Sequence, residues 1–135
     1  LKRNSLRSFE RIKHLKIIEK VFSKDAFSIY GSFVNVRYIL DTEIPFPLQA
    51  GFSVSKKLYK RAHDRNQYKR WLREAYRIQK VPILDHLESK NQRLAVFFIL
   101  TKRIENPKFA LIESEIQLLL SRLMKKLNPH STKQE

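Results

Sequence analysis

Between residues 61 and 80 the sequence RAHDRNQYKRWLREAYRIQK sets its cations at helical spacing. Plotted at 100° per residue, Arg65, Lys69, Arg70, Arg73 and Arg77 fill one arc. Tyr68, Trp71, Leu72, Ala75, Tyr76 and Ile78 fill the opposite arc. A helix here docks one face on a core and presents five cations along roughly 18 Å, at 1.5 Å per residue. Guanidinium forks match phosphate oxygens in pairs, which ammonium point charges do not. A merely solvated face would need acidic partners four residues away, and the segment offers only Asp64 and Glu74. The chemistry this pattern suits is the docking of a polyphosphate chain.

The rest of the charge agrees. The 135 residues include 28 Lys or Arg and 13 Asp or Glu, a formal net charge of +15. Residues 1–24 carry eight basic and two acidic side chains, and residues 56–80 carry ten and two. Two windows therefore hold nearly all the excess, and a polyanionic partner relieves their self-repulsion. Nucleic acid fits best, because each neutralised phosphate also releases counterions. An anionic membrane surface would want an amphipathic helix with a bare apolar face, so no membrane partner is expected.

Catalysis by the chain itself would need carboxylates gathered on a metal or a His pair acting as acid and base. The candidate carboxylates are Asp41 with Glu43, Asp85 with Glu88, and Glu113 with Glu115. None is tied to the basic segment, and each reads as a solvated side chain. Of the histidines, His63 beside Asp64 reads as a cap on the basic helix, with Asp64 at the positive end of its dipole. The absence of cysteine excludes thiolate metal sites and disulfides, and two glycines cannot build a phosphate-cradling loop.

The elements that must position the basic helix follow from periodicity. Residues 1–10 read as a basic arm and residues 128–135 as a flexible tail, leaving one domain over 11–127. Ile12, Leu15, Ile18 (with Ile17), Val21 and Phe22 mark a helix over 11–24. Residues 26–30 and 33–40 read as paired strands around Gly31-Ser32, and 49–55 as a third strand. Val34, Val36, Tyr38 and Leu40 share one side of the second strand; Phe33, Asn35, Arg37 and Ile39 share the other. After the helix at 61–80, limited by Pro82, residues 83–92 read as a charged connection with room for a short helical turn. Leu94–Leu100 is short and apolar enough for a central strand, and Asn106-Pro107 opens a last helix with a stripe of Leu111 (with Ile112), Glu115, Leu118 (with Leu119), Arg122 and Leu123. The order α-β-β-β-α-β-α predicts an α+β fold, a mixed sheet with helices packed on it. No uninterrupted apolar run exceeds seven residues and no secretion signal opens the chain, so the expected location is the cytoplasm. Aromatic rings able to stack on unpaired bases would be Phe22, Phe33 and Tyr38 or Tyr30.

GFSVSKK at 51–57 followed by RNQYKRWLREAYR at 65–77 resembles the signature of the bacterial ribonuclease P protein subunit, a G-x-S-V-S-K-K strand end, a short loop, then R-N-R-x-K-R-x-x-R-E. RIKHLKIIEKVF at 11–22 resembles the family's first helix. The resemblance implies a parallel strand pair joined by an unusual left-handed crossover. It implies binding to the catalytic RNA of ribonuclease P and to the 5′ leader of precursor tRNA, whose cleavage by the complex uses Mg²⁺. The catalytic centre would lie in the RNA, with no catalytic residue in this chain.

Matched by position, Lys56, Lys57, Arg65, Asn66, Lys69, Arg70 and Arg73 would face RNA, with Arg77 continuing the same arc. Asn66 would meet metal ions only through water or RNA. Arg11, Ile18 and Phe22, with Phe33 and Tyr38, would line a cleft for the single-stranded leader. Gln67 stands where the family has a third R-N-R residue, Ile18 at an aromatic position, and Tyr59 at a frequent Gly. A monomer is expected when RNA is bound, and no DNA partner, since the strand pattern of QAGFSVS replaces the helix a helix-turn-helix would need. The competing function is a ribosomal-type RNA-binding protein with no part in cleavage.

Overall fold

The computed structural model describes residues 6–128, so residues 129–135 of the expected tail and residues 1–5 of the expected arm lie outside the described residues. The α+β expectation holds. Four helices, α1 (Leu15–Val21), α2 (Ala62–Arg77), α3 (Val81–Ser89) and α4 (Phe109–Leu127), surround a sheet of β1 (Phe27–Tyr30), β2 (Val34–Leu40), β3 (Leu48–Val54) and β4 (Leu94–Leu100). The strand order is β1-β2-β4-β3; β1–β2 and β2–β4 are antiparallel, and β3–β4 is parallel, linked through α2 and α3.

Period-2 alternation divides the sheet into two faces. Val34, Val36 and Tyr38 of β2, with Val96 and Phe98 of β4, enter a large core under α2, α3 and α4. Ile39 and Ala95 turn the other way and meet Ile17 and Val21 of α1 in a smaller cluster with Ile44. The helices therefore segregate, three on one face and the short α1 on the other.

Several local expectations are corrected. The connection at 83–92 is largely a nine-residue helix, α3, because Pro82 falls in its first turn, where a missing N–H costs nothing. Helix α1 is shorter than 11–24: residues 11 and 12 run along β3 instead, with Arg11 bridging Ala50 and the Ile12 amide donating to the Ala50 carbonyl at 3.1 Å. In α4 the buried stripe is Ile112, Glu115, Ile116, Leu119, Leu120 and Leu123; Leu111, Leu118 and Arg122 face outward. The run of leucines and isoleucines there offers two overlapping helical stripes, and packing selects one.

The arm reading also fails for residues 6–10. Ser8–Glu10 forms a 3₁₀ turn, Phe9 packs edge-on against Phe46 at 4.6 Å, and Gln49 Nε2 donates to the Phe9 carbonyl at 2.8 Å. Glu10 is buried and accepts from Lys80 Nζ, a side chain with no exposure at all. An ion pair removed from water in this way ties residues 6–10 to the N-cap of α3.

Glu115 is the other carboxylate that is not solvated. Its Oε2 accepts from the Phe33 amide at 2.9 Å and the Val34 amide at 3.1 Å, fastening α4 to the β1–β2 turn. A Cβ at Gly31 would lie 2.4 Å from that oxygen and 2.5 Å from the Val34 carbonyl oxygen. Gly31→Ala is therefore expected to cost about 1–3 kcal/mol, read as a lower urea midpoint; an unchanged midpoint would mean the turn has room.

Candidate nucleic-acid interface

Helix α2 packs as its pattern predicts, with Tyr68, Leu72, Ala75 and Tyr76 buried and Trp71 half-buried; Ile78, expected in the core arc, is exposed beyond the helix end. The loop before it is anchored by Tyr59, buried and stacked on Tyr68 at 4.5 Å, with its hydroxyl accepting from the Ile104 amide at 3.1 Å. Burial and then Tyr59 push the Tyr68 phenol up to about 12, so this pair is neutral packing. A ring in place of glycine thus fixes where Lys56 and Lys57, both exposed, leave β3. Neither His63 nor Asp64 caps α2: Arg61 occupies the N-cap without a side-chain bond, and both lie in the first turn.

The five cations divide by local chemistry. Arg77 is paired with Glu74, its Nε donating at 3.0 Å, and this partnership holds the Glu74 carboxyl below its ordinary range. Arg65 turns back and donates through Nη1 to the carbonyls of Tyr59 at 2.9 Å and Lys60 at 2.7 Å. Lys69, Arg70 and Arg73 have no carboxylate partner among the described residues, and Asn66 is exposed beside them. Burial, then Arg11, then Arg70 lower the Arg73 guanidinium from its ordinary value. A neighbouring like charge lowers a cation in this way only from close by. The segment along β3 thus brings Arg11, from the first basic window, to Arg73 in the second.

On the face that carries α1, register sets three rows across the sheet. Ile39 and Ala95, the row under α1, are buried. The next row is Ser28, Arg37, Phe97 and Gly51. Phe97 lies over Gly51, where a Cβ would meet its ring at 2.4 Å, and Phe22 stands edge-on to Phe97 at 4.9 Å, 47% exposed. Arg37 holds this arrangement: it donates to the Val21 carbonyl at 2.9 Å, the Ser23 carbonyl at 2.6 Å and Ser28 Oγ at 3.0 Å, closing the C-terminal end of α1. The third row, Tyr30, Asn35, Ile99 and Ser53, is exposed or half-exposed. The result is a trough with Phe22 and half-buried Ile18 on one wall and β3 with Arg11 toward the other side.

Two expected cleft residues do not line it. Tyr38 is 5% exposed, stacked on Phe27 at 5.2 Å within the large core. Phe33 precedes β2 in the turn, so strand alternation does not govern it, and it packs against the same core. Phe97, Asn35, Ile99 and Ser53 were not singled out for the cleft, although the alternation of β2 already put Asn35 opposite Val34 and Val36. Phe97 was masked by the continuous apolar run of β4, in which neither face is marked by polar residues.

The donor set does not make a metal centre. Among the described residues no group of three or more His, Cys, Asp or Glu could hold a metal ion. Asp41 and Glu43 both accept from Lys20, at 2.7 and 3.1 Å, which holds the Asp41 carboxyl below its usual range. Glu10 and Glu115 are committed to the fold. Nor is any helix of the described residues long and apolar enough to cross a membrane.

The chain is thus a small α+β domain that sets a cationic helix beside an open sheet trough. The chain belongs to the ribonuclease P family, whose model matches residues 6–124. It is 26% identical over 137 residues to the ribonuclease P protein component of Chlorobaculum tepidum, covering 95% of this chain and 88% of that one. Its fold is similar to that of the Staphylococcus aureus RNase P protein, with a TM-score of 0.68 and 24% identity over 84% of this chain and 94% of that one. The RNase P protein from Thermotoga maritima superposes with a TM-score of 0.62 at 22% identity, covering 84% and 96%.

Proposed function

We propose that this chain is the protein subunit of a cytoplasmic ribonuclease P ribonucleoprotein, and that it promotes endonucleolytic 5′ maturation of tRNA by binding. Lys56, Lys57, Asn66, Lys69, Arg70 and Arg73 contact the catalytic RNA through phosphates and 2′-hydroxyls, the features a structured RNA offers. Arg65 contributes by shaping the loop before α2 as well as by charge, and Arg77 adds less because Glu74 shares it. The 5′ leader of precursor tRNA lies in the trough, its backbone drawn by Arg11 and its bases against Phe22, Ile18 and Phe97. Mg²⁺ belongs to the RNA side of the complex, and Asn66 reaches it only through water or phosphate.

The observation that carries this reading is the placement of Arg11, bridged to Ala50 at the β3 edge that borders the trough, close to Arg73 of the cationic helix. Two chemically different demands, phosphate docking and room for an unpaired strand, are met side by side. Adding the chain to a ribonuclease P RNA at low Mg²⁺ with a leader-bearing precursor tRNA is expected to speed cleavage at the 5′ maturation site by about tenfold or more, equivalent to about 1.4 kcal/mol of added binding. RNA binding with no stimulation would instead indicate a ribosomal-type protein.

A further inference from the structure

The trough does not end at the sheet. Tyr30, the outermost residue of its open row, stands on β1, the edge strand farthest from β3, and is 68% exposed. Beside it, a cavity of about 520 Å³ is lined by Ser28, Ile29, Tyr30, Arg122, Lys125 and Lys126. Its walls hold three cations and no carboxylate. Arg122 Nη1 donates to the Tyr30 carbonyl at 2.7 Å, which fixes the guanidinium against the strand edge. Lys126 is exposed in the last turn of α4.

We infer that this corner is a second station for the single-stranded leader, holding nucleotides farther from the cleavage site than those in the trough. The inference rests on the proposed leader-binding role. Continuity argues for it: the row from Ser53 through Ile99 and Asn35 to Tyr30 crosses four adjacent strands, roughly 14 Å at about 4.8 Å per strand. Charge argues for it too, since an exposed ring flanked by Arg and Lys is the arrangement that binds unpaired RNA without reading its sequence. An RNA strand that leaves the trough over β1 meets a base-stacking ring first and phosphate-binding cations next. The site extends the grip along the leader and makes affinity depend on leader length.

The test compares precursor tRNAs with a short and a long leader, bound to the assembled ribonucleoprotein. With wild-type protein, lengthening the leader should tighten binding. Tyr30→Ala should weaken only the long-leader substrate, about fivefold or more, the loss of one stacked base. Lys126→Gln, which removes an exposed charge and no hydrogen bond among the described residues, should flatten the long-leader salt dependence by about 0.7 in log–log slope. Tyr30→Phe should retain wild-type affinity. Unchanged long-leader binding in both Tyr30→Ala and Lys126→Gln, or equal losses on both substrates, overturns the inference while leaving the trough intact. A wild-type protein that gives no stimulation of cleavage would overturn the parent reading and this site with it.

Discussion

Lys80→Ala is expected to lower stability by about 3–5 kcal/mol, because it leaves the Glu10 carboxylate buried without its counter-ion. For a domain whose whole stability is about 5–15 kcal/mol, this approaches unfolding. Lys80 has no exposure and Glu10 is 6% exposed, so water cannot compensate either charge in place. The loss should appear as a lower urea midpoint at nearly unchanged slope. Its functional consequence runs through the next residue: releasing Glu10 releases Arg11 from the β3 edge, so RNA affinity should fall even at temperatures where the variant remains folded. The pair Glu10→Gln with Lys80→Met should recover much of the lost stability, since a buried ion pair is often replaceable by neutral packing although half of one is not. A Lys80→Ala midpoint within the range of the wild type would show that the pair contributes little and that other contacts hold the chain start.

The fold and the basic helix were legible in the sequence for a physical reason: both rest on periodic patterns long enough to be unambiguous. The arc from Arg65 to Arg77 repeats over more than three turns, and the strands are separated by glycine or proline. What escaped reading depends on single long-range partners. Lys80 looked like one more cation of the basic segment until burial placed it on Glu10, 70 residues earlier. Glu115 looked like a helix carboxylate until its oxygen met the amides of Phe33 and Val34. Arg77 and Arg65 share the arc with Lys69, Arg70 and Arg73, yet neighbours engage the first two. The resemblance located the cleft beside α1 but not its floor, because Phe33 lies where the alternation of β2 has not begun. Tyr38 carries an aromatic ring on the core side, which residue type alone does not distinguish from a stacking platform.

The second large effect concerns the three cations of α2 that lack carboxylate partners. Replacing Lys69, Arg70 and Arg73 together by Ala leaves the buried residues Tyr68, Leu72, Ala75 and Tyr76 untouched, so the fold should persist. Binding to ribonuclease P RNA should weaken steeply at low salt and less at high salt, since each lost phosphate contact removes one share of counterion release. The logarithm of the binding constant plotted against the logarithm of salt concentration measures that share directly. The slope is expected to be shallower than the wild type's by about one unit per contact, close to three units for the triple variant. Parallel lines for the wild-type and substituted proteins would contradict it, because they would mean that the outward face of α2 does not touch the RNA backbone.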